Sequence, residues 1–440
     1  MYSAFIVAIK AQNSLSFAQM TQLKVVSNDA TWRTNKVNQT SPKIWPVCFD
    51  PAWYFPLIFA AASFPLLALS NPTASTLSQQ VDQRLLLGLF VIVFAIALHY
   101  IYRVPINANI FLPRDGLLLI FFGLTLLSTV PRGLTGPSIN AAVLLSLAFS
   151  IRIMSFSPRF FKATIAASIT CVAFLIAAQI MHGPPIGRYL GGIHPNIYSA
   201  SAIAAVALAL FAPRPFFEAT TAIALTCALL VSSRYGVVCV ALIYILFNAI
   251  NLSTAGPIRI ALMMIVCLAL MGDLMANGGD SYIGSAMEID DTSRGAGSGL
   301  SGRDKHWASF LPQFEKHMFS GFGFRNRAAY LGAHNGYLNV LLENGVIGAF
   351  LLLIYYVIRL KELAYEAIAY RLNGARGRVL SSMLAVLFAA MLQPQLFSFG
   401  DAFGLLSLTL LFMRPGLESG EPVVRKKSSS RLKMAVRENG

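Results

Sequence analysis

Charge is what this 440-residue chain has least of, with Asp, Glu, Lys and Arg making up 12% of it against 56% hydrophobic residues. With a mean hydropathy of +0.63, that scarcity excludes a large water-soluble protein and predicts a polytopic helical membrane protein. Acidic residues are scarcer than basic ones, 19 against 34, which leaves a net charge of +15. So basic a chain would suit nucleic acid, but the Lys and Arg residues stand between and after apolar runs. That placement is the positive-inside pattern of a membrane protein, and nucleic acid drops out as a partner. Cysteine is sparse too: Cys48, Cys171, Cys227, Cys239 and Cys267 show no metal-ligand spacing, and four of them lie within apolar stretches. They read as small core residues, so neither a metal site nor a disulfide framework is expected, and no cofactor is implied. The start of the chain has no charged segment followed by a sustained apolar core, which argues against a cleavable signal. Residues 1–52 read as a mobile cytoplasmic arm, and Met20 offers a second possible start. No inverted repeat is evident, which counts against a secondary transporter.

Long apolar runs are what the chain does have. Stretches at 53–70, 85–102, 116–130, 139–154, 163–181, 197–212, 216–231, 236–250, 258–275, 340–358, 379–392 and 402–413 suit a bilayer core. The expected fold is therefore all-α and integral to the membrane, with about 12 transmembrane helices across 53–413 and one large loop, 276–335, between the ninth and tenth. Most of the basic residues, including Arg103, Arg114, Arg152, Arg159, Arg359, Lys361 and those of the 414–440 tail, fall on one side under this topology. Both termini are then cytoplasmic and the large loop faces outward. The Lys/Arg/Ser tail reads as a solvated end attracted to anionic lipid.

The large loop changes character along its length. Gly278, Gly279, Gly295, Gly297, Gly299 and Gly302 loosen its first half, which also carries Asp280, Glu288, Asp290 and Asp291 without the ordered spacing of a calcium loop. It reads as a mobile cover. In the second half, Trp307, Phe310, Leu311 and Phe314 recur at helical spacing, and the run from His317 to Gly323 ends that helix at glycines. Arg303 stands at its start, where a cation needs an anionic partner: Asp304, Glu315 or a ligand phosphate. Arg188 and Arg234 each stand alone in a short loop on the same face, Arg188 shortly before Asn196. Snorkelling to lipid phosphate competes with a functional role at each. His334 and Asn335 open an apolar helix on which Tyr337, Leu338, Leu341 and Leu342 share one face. His334 is thus either an interfacial cap or a base held at a rigid helix start. Gly345 and Gly348 are expected to admit a neighbouring helix, and Glu343 and Asn344 to face protein or water.

The spacing His334-Asn335, nine residues, Gly345, two residues, Gly348 resembles the histidine motif of the bacterial O-antigen ligase and Wzy-type polymerase superfamily. Gly302-Arg303 with Trp307, and Phe319 to Gly323, resemble the segment upstream of it, while Gly192, Pro195-Asn196 and Ser233-Arg234 are weaker echoes. His317-Met318 departs from the family's His-Pro step, which leaves the acceptor open. The resemblance implies a GT-C-like architecture in the bacterial inner membrane and an inverting, metal-independent glycosyltransferase. Its donor would be an undecaprenyl-diphosphate-linked glycan and its acceptor, on the periplasmic face, either lipid A core or a growing glycan. Carried over residue by residue, His334 would orient or deprotonate the acceptor, and Arg234 and Arg303 would bind the diphosphate. Arg188, Asn196, Asn335, Trp307 and Tyr337 would contribute to substrate binding. A transporter or flippase of the same lipid-linked glycan is the competing reading.

Overall fold

In water-free hydrocarbon every backbone N–H and C=O must find a partner within the protein, which restricts a bilayer-spanning chain to helices or closed barrels. The computed structural model describes residues 50–67, 114–132, 136–155, 159–183, 195–231, 233–250, 314–326, 335–369, 375–391 and 401–413, with a few isolated positions between them. Among these residues the secondary structure is helical, with no β-strand. Helix α1 (Phe55–Ser63) is flanked by short 3-10 turns, and α2 (Asp115–Leu127), α3 (Gly136–Met154) and α4 (Phe160–His182) follow. Then come α5 (Pro195–Ala209), α6 (Arg214–Leu230), α7 (Arg234–Ile250), α8 (Gly336–Ala369), α9 (Ala375–Ala389) and α10 (Ala402–Phe412).

Each expected span coincides with a helix except 85–102 and 258–275, which lie outside the described residues, as do 1–49, 414–440 and most of the large loop. Three of the described helical segments are long and apolar enough to cross a membrane: Pro137–Met154, Phe160–His182 and Gly336–Tyr365.

Residue size is sorted across the helix faces. On α4 the buried side carries Ala163, Ala167, Cys171, Leu175 and Ala178, while Ile169, Ile176 and Ile180 are exposed, the last by 77%. Phe350, Leu353 and Val357 form a similar exposed apolar stripe on α8. A soluble protein would place charge on such faces; large aliphatic side chains outside and small ones inside is the arrangement of helices packed in lipid. The centre is built from α5 and α10. Every residue of α10 is buried, and so is nearly all of α5, whose Ala- and Ser-rich sequence lets α4, α6, α7 and α10 approach closely. Asp401 caps α10 by accepting the Gly404 N–H at 2.8 Å. Phe122 packs on Phe412 with ring centroids 6.1 Å apart, joining α2 to this centre, and Phe397 packs on Phe121 and Phe122 at 5.9 and 5.5 Å. Cys171, Cys227 and Cys239 are free, buried thiols.

Ionic groups tie one end of the bundle. Asp115, at the start of α2, pairs with Arg152 near the end of α3, and both are fully buried. Arg114 pairs with Glu362 of α8. Tyr355 donates to the Leu411 carbonyl (3.0 Å) and Arg359 to the Met413 carbonyl (2.9 Å), fixing α8 to the end of α10. Nearby in sequence order, Ser157 reaches the Asp50 carboxylate (2.8 Å), and Arg214 reaches Asn248 (2.6 Å).

Removing one partner of a buried pair strands the other charge, so Asp115→Asn should destabilise the protein by about 3–5 kcal/mol. Thermal unfolding in detergent would register this, and a double replacement, Asp115→Leu with Arg152→Met, should recover most of the loss.

Candidate functional site

The opposite end of the bundle gathers helix starts. Ser233, just before α7, receives a hydrogen bond from Ser199 in the second turn of α5 at 2.6 Å, and Gly236 is so close to Ser199 that a Cβ there would lie 2.5 Å from its hydroxyl. Tyr235 packs edge-on against Phe403 at 6.3 Å, which sets the starts of α7 and α10 side by side. Tyr355 meets Leu411 and Arg359 meets Met413, so α8 and α10 advance in the same direction and α8 also begins at this end. There the Gly336 N–H donates to Ala390 (2.8 Å) and the Tyr337 hydroxyl to Leu387 (2.6 Å), seating the start of α8 on the end of α9. Helix α9 in turn packs along α7.

The expected site residues fall on this framework as follows. Asn196 lies in the first turn of α5 and Arg234 is the first residue of α7. Asn335 is the N-cap of α8: its Oδ1 accepts the N–H groups of Tyr337 (3.0 Å) and Leu338 (3.1 Å). Tyr337 is half-buried with its hydroxyl committed to Leu387. The structure therefore brings Asn196, Arg234, Asn335 and Tyr337 to one end of the bundle. His334, Arg303, Trp307 and Arg188 lie outside the described residues.

Helix α8 departs from the expected single span. It is broken at Gly345, whose φ of 65° and ψ of −173° are not helical. In an unbroken helix the Val346 N–H would bond the Leu342 carbonyl; here it donates to Met318 O (2.8 Å) instead. The carbonyls this releases are taken by the loop after His317: Phe322 N–H donates to Leu342 O (2.7 Å) and Gly323 N–H to Glu343 O (3.0 Å). The Arg325 N–H donates to the Glu343 carboxylate (3.1 Å), and the Phe324 N–H to Ser128 at the end of α2 (3.1 Å). A Cβ on Gly345 would overlap the Phe319 carbonyl. The expectation that Gly345 admits a neighbouring helix is thus corrected: the element it admits is loop backbone, because a glycine with positive φ opens the helix instead of narrowing it. Gly348 does face a helix, with Phe121 of α2 3.7 Å from a Cβ placed there. Asn344, buried, receives the Thr125 hydroxyl at 2.9 Å, so this polar pair is satisfied within protein. The role of Glu343 as a receptor for loop N–H groups went unread in the sequence, where the only signal was a carboxylate set early in an apolar run.

A helical bundle with lipid-facing apolar stripes, a central pair of helices that is almost wholly buried and polar helix starts collected at one end is an integral membrane protein. Residues 219–353 match the family model described as O-antigen ligase, Wzy_C, which supports the resemblance to the O-antigen ligase/Wzy superfamily. The matched stretch runs from within α6 through α7 and across the break in α8. No curated protein matches the chain.

Asn335→Asp keeps a capping oxygen and should leave thermal stability unchanged, whereas Asn335→Ala should cost about 1 kcal/mol. Loss of substrate binding in the Asp variant at unchanged stability would assign the Asn335 amide nitrogen to substrate.

Proposed function

We propose that the chain is a membrane glycosyltransferase that moves an oligo- or polysaccharide from an undecaprenyl-diphosphate carrier to an acceptor hydroxyl. The observation that carries this reading is the coincidence of the family match with the geometry: the matched stretch contains both Arg234 and Asn335, and their helices start at the same end of the bundle. In this reading the site faces the periplasm of a bacterial inner membrane, with both chain termini in the cytoplasm. Arg234 and Arg303 hold the diphosphate, whose geometry suits a guanidinium fork, with Arg188 assisting. His334 orients the acceptor hydroxyl and takes its proton as the oxygen attacks the anomeric carbon from the face opposite the diphosphate. The new glycosidic bond forms as the bond to phosphate breaks, so configuration inverts, and the lipid diphosphate leaves with the bonding electron pair. Diphosphate is already a competent leaving group and fixed guanidinium groups stabilise the charge it gains, so the step calls for no metal. Asn196, Asn335, Trp307 and Tyr337 position the sugars.

A broken helix is also a feature of transporters, where unwound backbone lines a substrate cavity. In this chain the break is filled by the protein's own loop, whose N–H groups take up the released carbonyls, and that favours the enzyme over a flippase.

The test is incubation of purified protein with undecaprenyl-diphosphate oligosaccharide and either lipid A core or a second lipid-linked repeat, with EDTA present. A ladder growing on the carrier marks a polymerase, and label moving to lipid A core marks a ligase. Folded protein that transfers to neither acceptor overturns the proposal. His334→Ala and Arg234→Ala should each reduce transfer at least about 100-fold with membrane insertion unchanged.

A further inference from the structure

The break in α8 has a mechanical consequence. Residues 336–344 form a short half-helix, and 346–369 a second one long enough to span the bilayer alone, at about 36 Å. The first half carries Asn335 at its tip, one residue after His334, and its direction is set at Gly345. If the break only shortened α8, a chain reversal at that point would suffice. Instead the bend is gripped from outside by the loop at 318–325, through backbone bonds to Leu342, Glu343 and Val346 and a side-chain bond to Glu343. The loop is itself fastened to α2 through Ser128.

The fit leaves no room for side chains. Gly321 has φ of 68°, and a Cβ there would lie 2.5 Å from the Gly345 nitrogen, so two positive-φ glycines are pressed backbone to backbone. Arg325 also has positive φ, 52°, a conformation that costs a non-glycine residue energy and that here presents its N–H to Glu343.

Resting on the transferase reading, we infer that the 318–325 loop and the break at Gly345 form a clasp that aims the half-helix 336–344. Gly321, Glu343 and Gly345 are then positioning residues for the site at its tip. The lever arm explains why such a clasp matters. Nine residues extend about 13 Å, so a turn of about 10° at the break moves the tip by about 2 Å. Misplacing a reacting group by about 1 Å can cost about 100-fold in rate. The clasp also couples the two motif segments, since the loop that follows Arg303 and Trp307 in sequence grips the helix that follows His334.

The test uses the full-length chain in nanodiscs with two readouts: transfer kinetics, and the distance between nitroxide labels at Leu338→Cys and Leu353→Cys on the two halves of α8. In Gly345→Ala and in Glu343→Leu the label distance should shift by more than about 3 Å and kcat should fall about 100-fold, with KM changing less than about threefold. Glu343→Gln retains an acceptor oxygen and should remain within about threefold of the parent protein on both kinetic constants. Where Gly345→Ala does not fold, Glu343→Leu carries the test, because it introduces no backbone clash. An unchanged label distance in folded Gly345→Ala and Glu343→Leu overturns the clasp, and a shifted distance with kcat retained overturns its positioning role. A parent protein that transfers no glycan, with the label distance still shifting in the variants, supports the clasp and overturns the proposed transferase function instead.

Discussion

A carbonyl placed in the hydrocarbon of a bilayer has no water to bond, and the described structure follows from meeting that constraint locally. Regular helices satisfy it automatically. Where α8 is interrupted at Gly345, the released groups of Leu342, Glu343 and Val346 are matched by Phe322, Gly323 and Met318. The same constraint explains the steric economy of that region. Two backbones exchange these bonds only if they touch, and they touch because Gly321 and Gly345 have no side chains.

The bundle is held differently at its two ends. One is ionic, with Asp115, Arg152, Arg114 and Glu362 linking α2, α3 and α8 where buried charge is tolerable only in pairs. The other is made of helix starts, serine hydroxyls and caps, with Asn335 and Asp401 holding α8 and α10. At the Asn335 end the first N–H groups of α8 are already taken, that of Gly336 by the Ala390 carbonyl and those of Tyr337 and Leu338 by Asn335 Oδ1, while the ionic end holds the bundle together. Between them, α10 and nearly all of α5 are buried, giving the surrounding helices a common surface to pack on.

Most of the helices were legible in the sequence because the bilayer makes hydropathy a direct readout of helix position. Runs such as 139–154 and 163–181 differ from Gly136–Met154 and Phe160–His182 by only a few residues at their ends. The site was legible as a set of residue types. Arg234 and Asn335 were expected to share a face, and the helices they start do begin at one end of the bundle. Asn335 and Tyr337 were read as contacts to substrate, yet the structure commits Asn335 Oδ1 to the helix cap and the Tyr337 hydroxyl to α9. Spacing along one chain does not reveal which atoms of a polar side chain its own backbone already occupies.

By itself the sequence determined that the chain is helical, embedded in a membrane and built around apolar runs of readable length, because those properties depend on the composition of contiguous segments. The 340–358 run reads as one uninterrupted span, since a glycine among aliphatic residues does not alter average hydropathy. Only the tertiary structure decided that Gly345 breaks α8 and that Glu343 receives the loop at 318–325. A helix opens at a glycine only where another segment supplies the hydrogen bonds it gives up, and the segment that does so here lies some twenty residues away, across a stretch that local patterning cannot bridge.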